Sequence, residues 1–89
     1  MISYLTTVAI GGYDKRETMD ALDSLNSRIC LLYEEIEKKR KGRAFDVPMW
    51  STVKMPQKAA GDGFDERDTD ALITELRSLA VELENELLR

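Results

Sequence analysis

The most informative absence in this sequence is histidine, because the 89-residue chain has none. Histidine is the commonest general base and neutral metal ligand near neutral pH, so the sequence offers little for acid–base catalysis or for a zinc site. The single cysteine, Cys30, excludes a disulfide within the chain and fits a reducing cytoplasm. Long apolar runs are also missing, and residues 1–10 lack the basic start of a signal peptide. We therefore expect a cytoplasmic, non-enzymatic protein that uses no cofactor and no metal.

The charge balance is acidic, with a net charge of −4 and a pI of about 4.8. The electrostatic field of an acidic protein repels nucleic acid, so nucleic acid is not expected as a partner. With 43% hydrophobic and 34% charged residues, the chain is too apolar to be disordered and too charged to lie within a membrane. Its length fits a single compact domain over residues 1–89 with a large share of its surface in water. A surface for self-association would bury some of that exposed area and add to the small core.

One stretch of the chain occurs twice. Residues 12–18 (Gly-Tyr-Asp-Lys-Arg-Glu-Thr) return 51 residues later as residues 63–69 (Gly-Phe-Asp-Glu-Arg-Asp-Thr). Each copy consists of glycine, an aromatic residue, aspartate, a charged residue, arginine, an acid and threonine, and a long helical pattern follows each copy. We interpret the chain as two copies of one module: repeat one over residues 2–41 and repeat two over residues 49–89.

The repeated motif has the chemistry of a helix start. An aspartate just before a helix accepts hydrogen bonds from free backbone N–H groups, and an acid three residues later completes a capping-box-like pair. We expect the glycine to make the turn and the aromatic residue to hold the strand against its helix. The residues of this helix-start motif are Gly12, Tyr13, Asp14 and Glu17 in repeat one and Gly63, Phe64, Asp65 and Asp68 in repeat two. The first helix is predicted over residues 15–41, and Gly42 suits the left-handed position just past it.

Apolar residues follow each motif in alternating steps of three and four, which is the spacing of a coiled-coil-like seam. Leu22, Leu25, Ile29, Leu32 and Ile36 align with Ile73, Leu76, Ala80, Leu83 and Leu87. A helix of about 40 Å is longer than a small domain needs, so we expect part of the seam to be exposed and to contact a partner helix. The residues predicted for that contact are Leu25, Ile29, Leu32, Ile36, Leu79, Leu83 and Leu87.

Two stretches rich in β-branched and aromatic residues predict strands before the motifs, over residues 2–10 and 49–55. Residues 5–10 resemble residues 50–55 at an offset of 45, which leaves residues 56–61 as an insertion in the second copy. The predicted fold is therefore α+β and mainly helical, in the order β-α-β-α, with a strand, a turn and a long capped helix in each module. Glutamates near the end of the second helix would approach the basic end of the first if the helices were parallel, so charge slightly favours a parallel, pseudo-two-fold pair. The sequence leaves parallel and antiparallel arrangements both open.

The motif at residues 12–17, between an apolar stretch and a long amphipathic helix, resembles the N-terminal element of DivIVA-like proteins. That family has a glycine-aromatic-aspartate motif just before a parallel coiled coil. The resemblance covers roughly residues 5–36 and, less closely, residues 50–87. It implies a bacterial cytoplasmic scaffold that self-associates and, in many members, gathers at curved membrane or at the division site. From the seam we expect this chain to form a homodimer. This chain has Thr18 and Thr69 where the family usually has valine, and it has two modules where one is usual.

A second hypothesis rests on a basic patch at the end of the first helix, which we define as Lys38, Lys39, Arg40, Lys41 and Arg43. Basic residues beside Phe45 and Trp50 suit an anionic membrane surface, nucleic acid or an acidic partner. The alternative function is thus a small regulatory protein that binds through this patch. The same residues also fit a solvated helix end followed by a strand with a core tryptophan.

Cys30 is interpreted as a packing residue, because no histidine is present to activate it.

Overall fold

The computed structural model describes residues 5–49 and 53–89. In chain order the elements are strand β1 (Thr7–Val8), helix α1 (Lys15–Arg40), strand β2 (Gly63–Phe64) and helix α2 (Glu66–Leu88). The mainly helical β-α-β-α order predicted from the sequence is confirmed. The molecule is an elongated body of 51 × 24 × 14 Å, which is a layer of two helices with the strands at one end.

Both helices begin where the motif predicts. The Asp14 carboxylate accepts from the Glu17 backbone N–H at 2.9 Å, and the Asp65 carboxylate accepts from the Asp68 N–H at 3.0 Å. The two cap residues have nearly the same backbone angles, with φ −56° and ψ 126° in one and φ −53° and ψ 130° in the other. Gly42 has a φ of +70°, so the left-handed position just past α1 is also confirmed.

The two helices lie parallel and in register. One core cluster contains Leu22, Leu25 and Ile73, and a second one further along the helices contains Ile29, Leu32, Ile36, Ala80, Leu83 and Leu87. Residues that face each other are thus those 51 positions apart. Because both apolar stripes follow steps of three and four residues, equivalent layers meet as in a parallel coiled coil.

The strand before repeat two is not where the sequence predicts it. The described part of the stretch over residues 49–55 forms no strand, while residues 2–4 and Trp50, Ser51 and Thr52 lie outside the described residues. Instead Gly63 and Phe64 of the second motif form β2, which is antiparallel to β1 with Thr7 opposite Phe64 and Val8 opposite Gly63. The physical reason is that the backbone groups of β1 bond to the other motif rather than to the second apolar stretch.

The backbone hydrogen bonds show which residues of the two repeats are equivalent. The Asp14 N–H donates to the Gln57 carbonyl at 2.7 Å, and the Asp65 N–H donates to the Thr6 carbonyl, also at 2.7 Å. Thr6 and Gln57 are 51 residues apart, as are the two aspartates. The predicted offset of 45 for the strand region is therefore wrong: the offset is 51 throughout, and the two repeats are related by a pseudo-two-fold axis. The extra chain precedes Pro56 instead of following it.

The motif glycines allow the two repeats to approach closely. A Cβ on Gly12 would lie 2.5 Å from the Phe64 carbonyl oxygen, and a Cβ on Gly63 would clash with the carbonyl oxygen of Tyr13. The turn itself uses Gly11, whose φ is +82°. The prediction that Gly12 and Gly63 make the turn is thus wrong, because their role is to leave space for the other backbone.

Candidate interaction surfaces

The seam residues lie inside the chain. Leu25 and Leu32 are fully buried, and Ile29, Ile36, Leu83 and Leu87 are buried with them between α1 and α2. Leu79 is half-buried at the edge of the second cluster. The expectation that this seam is exposed is therefore wrong: the helix that each seam contacts is the other helix of the same chain. The repeat explains this result, since each module brings a matching stripe to the other.

The helix-start motif is the junction between the two repeats. Tyr13 and Phe64 exchange backbone hydrogen bonds of 2.8 and 3.0 Å, so neither copy forms a free loop. The Tyr13 hydroxyl donates to the Asp70 carboxylate of α2 at 2.7 Å. That hydrogen bond, with burial and the charges of Asp70 and Glu66 adding to it, raises the pKa of Tyr13 to about 12. The predicted role of the aromatics, to hold each strand against its own helix, is thus replaced by a contact between repeats.

Salt bridges surround this junction. Lys15 of α1 lies 3.3 Å from the Asp62 carboxylate and 5.7 Å from the centre of the Phe64 ring. Lys58 pairs with Glu66 of α2 at 2.8 Å. The first pair joins the two repeats and the second lies within repeat two, and each is exposed enough to contribute little alone.

Two threonines form an unusual layer next to the junction. Thr18 and Thr69 are equivalent residues, both with 0% exposure. Neither hydroxyl oxygen has a hydrogen-bond partner among the described residues. A buried hydroxyl without a partner costs free energy, so we expect a pair of valines in this layer to be more stable.

The basic patch is largely paired within the chain. Lys38 bonds to Glu35 at 2.8 Å, Arg40 lies 3.3 Å from Glu86, and Lys41 lies 3.9 Å from Glu37. The Lys39 ammonium donates to backbone carbonyls at the end of α2, including that of Leu87 at 2.8 Å. Arg43, the last residue of the patch, lies on the exposed connection after α1.

Glu35 anchors the connection to the side of α1. Its side chain is only 7% exposed and also accepts from the Asp46 backbone N–H at 2.9 Å. The hydrogen bond from Lys38, together with that from Asp46, lowers the pKa of Glu35 below its ordinary value. Further along, the Arg77 guanidinium donates to the Val53 carbonyl at 3.0 Å, so the connection is fastened to α2 as well.

Apolar side chains remain exposed outside the seam. Met49 is 94% exposed on the connection and Ile10 is 88% exposed beside the Gly11 turn. Near the basic patch, Phe45 lies 5.6 Å from the Lys39 ammonium and is partly exposed with Val47. Such side chains on a small protein are candidates for contact with a partner.

The described residues offer little chemistry beyond binding. Cys30 is exposed rather than packed, which corrects the interpretation of this thiol as a packing residue. Within residues 5–49 and 53–89 no three acidic or cysteine side chains are placed to hold a metal ion. In the same part of the chain, neither helix is both long and apolar enough to pass through a bilayer.

No protein-family model, curated protein or solved structure matches this chain.

Sequence reasoning missed the residues that join the repeats across the axis. Asp70 shows in the sequence only as one of several acids near the start of α2, and Lys39 only as one member of the basic patch, with nothing to indicate its contact with the end of α2. A search for polar residues that differ between equivalent positions would have found Tyr13 and Asp70, since Phe64 and Met19 occupy the equivalent places. No such signal existed for Thr6 and Gln57, which join the repeats through backbone groups.

Proposed function

We propose that this protein is a non-enzymatic, DivIVA-like scaffold or adaptor that self-associates and serves cell division or the organisation of a membrane site. The observation that carries the proposal is the junction at Tyr13 and Phe64. Two copies of the glycine-aromatic-aspartate motif bond to each other there and start a parallel two-helix coil. The resemblance implies a parallel coiled coil directly after this motif, and here a single chain contains both helices of such a coil.

The shape of the molecule supports a binding role. The two helices form a layer only 14 Å thick, so most of the side chains that the structure describes face water. The exposed apolar side chains of Ile10, Phe45, Val47 and Met49 lie at the two ends of the coil and on the connection. A scaffold needs such accessible contact points on a rigid rod.

The alternative function through the basic patch has less support. Its cations at positions 38, 40 and 41 already contact carboxylates, and Lys39 contacts carbonyls of α2. Ion pairs of this kind reduce the charge that a phosphate or an anionic membrane would meet. The patch is thus largely paired within the chain, by Glu35 and Glu37 of α1 and by the end of α2.

Sedimentation and light scattering of the full chain across a concentration series test self-association. The expected result is a mass that rises from the monomer value of 10.1 kDa toward twice that value. A mass of 10.1 kDa at every concentration contradicts the proposal.

Co-sedimentation with phosphatidylglycerol and phosphatidylcholine vesicles, over a salt series, tests membrane contact. Binding that disappears when residues 38–41 are neutralised would favour the basic-patch alternative.

A further inference from the structure

The two repeats share a backbone but differ where they contact each other. At the start of the helices the Tyr13 hydroxyl donates to Asp70 at 2.7 Å. The residues at the equivalent positions are Phe64, which has no hydroxyl, and Met19, which has no carboxylate. This hydrogen bond therefore forms only when repeat one faces repeat two.

The middle of the coil has a similar asymmetry. Ile29 and Ala80 are equivalent residues and are both buried in the same cluster. A large residue on one helix thus fills the space that a small one leaves on the other. If two copies of α2 faced each other, Ala80 would meet Ala80 and leave a gap in the core, which is unfavourable.

At the far end, α1 supplies charges that α2 lacks. The last turn of α2 has no basic residue, although cations are favoured near the carbonyls of a helix end. The Lys39 ammonium of α1 donates to the carbonyls of Leu87 at 2.8 Å and Glu86 at 3.5 Å, and Arg40 pairs with the Glu86 carboxylate at 3.3 Å. The end of α2 is capped by a side chain from the other repeat.

The overall charges of the helices agree with these contacts. α1 carries six basic and six acidic residues, whereas α2 carries two basic and seven acidic ones. Two copies of α2 would repel each other along their whole length. Two copies of α1 would lose the acceptors of Lys39 and the Asp70 partner of Tyr13.

We propose that repeat one and repeat two accept only each other as coil partners, so that a second copy of this chain can join the seam only by exchanging repeats. In the exchanged form, α1 of one copy pairs with α2 of the other. The proposal deepens the self-association under the proposed function and rests on it. In the exchanged form Leu25, Leu32, Leu83 and the other seam residues contact a second chain through the same seam that α1 and α2 form within one chain.

In the closed form, α1 pairs with α2 of the same chain. The length of the connection between the helices decides between this form and the exchanged one. α1 is about 39 Å long at 1.5 Å per residue, and the chain must return over that length to place Gln57 beside Asp14. Between Arg40 and Gln57 the natural connection reaches about 56 Å at 3.3 Å per residue, and without residues 45–52 it reaches only about 30 Å. Deletion of residues 45–52 therefore prevents the closed form and leaves exchange as the only way to complete the seam.

Cysteine crosslinking of the full chain distinguishes the pairings. In a Cys30→Ala background, the equivalent core residues Ile36 and Leu87 are changed to cysteine, singly and together, and are oxidised. Both changes leave the side chains of Tyr13, Asp70, Ile29 and Lys39 unaltered. With the natural connection, and at concentrations where the chain is monomeric, the double variant should form a disulfide within one chain, and each single variant should remain at least tenfold less crosslinked. Circular dichroism checks that each variant remains helical.

The same three variants without residues 45–52 test exchange. The double variant should become a covalent dimer or a longer covalent chain, and the single variants should not. A covalent dimer of the Ile36→Cys variant, at a yield close to that of the double variant, would overturn the proposal because repeat one would then pair with itself. The same holds for Leu87→Cys and repeat two.

A measurement without cysteines covers the case in which these variants unfold. The deleted chain with its natural core is mixed as labelled and unlabelled copies, and NMR contacts between copies are recorded. Contacts of the Tyr13 ring with repeat two support the proposal, and contacts with repeat one overturn it. A natural chain that stays monomeric while the deleted chain exchanges would refute self-association as the function and leave the pairing rule intact.

Discussion

The backbone N–H of Tyr13 donates to the carbonyl of Phe64 at 2.8 Å, and the N–H of Phe64 donates to the carbonyl of Tyr13 at 3.0 Å. These reciprocal bonds join the same position of the two motif copies. They explain why the motif contains glycine before the aromatic residue, because the neighbouring backbones must come close enough to exchange hydrogen bonds. The motif is thus a pairing device as well as a helix start.

Substitution of Gly12 or Gly63 by alanine should destabilise the protein. The added methyl group of Gly12→Ala would lie 2.5 Å from the Phe64 carbonyl oxygen, and that of Gly63→Ala would meet the Tyr13 carbonyl, so the paired backbones must separate. We expect a loss of about 2 kcal/mol in the free energy of unfolding for each change, measured by denaturant titration. Gly61→Ala is the matched control, because nothing lies within 4 Å of its added carbon. Equal effects at the three glycines would contradict the pairing role.

Replacement of the buried threonines should have the opposite effect. Thr18→Val and Thr69→Val remove hydroxyls that have no partner among the described residues while keeping the side-chain shape. Each change should raise the free energy of unfolding by about 1 kcal/mol, since desolvation of the hydroxyl is no longer required. Thr74→Val, at an exposed position of α2, is the control and should change stability little. A loss of stability at positions 18 and 69 would show that the hydroxyls have a partner in solution.

Much of this fold could be predicted from side chains, but the junction could not. Asp14 and Asp65 cap helix starts and Gly42 follows a helix end, and these roles depend only on neighbouring residues. Both helix starts and the end of the first helix were therefore predictable. The equivalence of Thr6 with Gln57 depends only on backbone groups, and Gln57, Lys58 and Ala59 have none of the strand character of Thr6, Thr7 and Val8. Similar side chains at residues 50–55 therefore suggested the wrong offset.

The placement of the seam shows a second limit. The apolar positions and their register were predictable from the spacing of residues such as Leu25 and Leu76. Whether that seam faces a second chain or the same chain depends on the path of the connection, which is set by contacts such as Asp46 with Glu35. A stripe of apolar residues carries no information about the origin of its partner.

Lys39 should matter more to stability than its neighbour Lys41. The Lys39 ammonium caps the end of α2 through the Leu87 carbonyl, whereas Lys41 only approaches Glu37 at 3.9 Å on the surface. Lys39→Met should lower the free energy of unfolding by about 1 kcal/mol and speed hydrogen exchange in the last turns of α2. Lys41→Met should change it by less than about 0.5 kcal/mol. Equal effects at both positions would argue against capping across the repeats.

The Tyr13 phenol should titrate later than an ordinary tyrosine. Its hydrogen bond to Asp70 raises the pKa of Tyr13 from the ordinary value of 10.0 to about 12. Because the pKa is higher in the folded than in the unfolded chain, the stabilisation is complete below pH 10 and is lost as the pH rises from 10 to 12. Phenolate absorbance should show this late titration, and Asp70→Ala should return the pKa of Tyr13 toward 10. An unchanged titration in Asp70→Ala would mean that the hydrogen bond is absent in solution.

The parallel pairing of the repeats within one chain is tested most directly by a distance between spin labels. In a Cys30→Ala background, labels at Glu34 and Asn85 occupy exposed, equivalent positions near the same end of the two helices. For parallel helices with axes about 10 Å apart, we predict a label separation of about 25 Å. That separation should persist after dilution with unlabelled chain, because both labels belong to one molecule. An antiparallel pair would offset the labels by about 24 Å along the helices and place them about 35 Å apart, and that result, or a signal lost on dilution, would contradict the intrachain parallel coil.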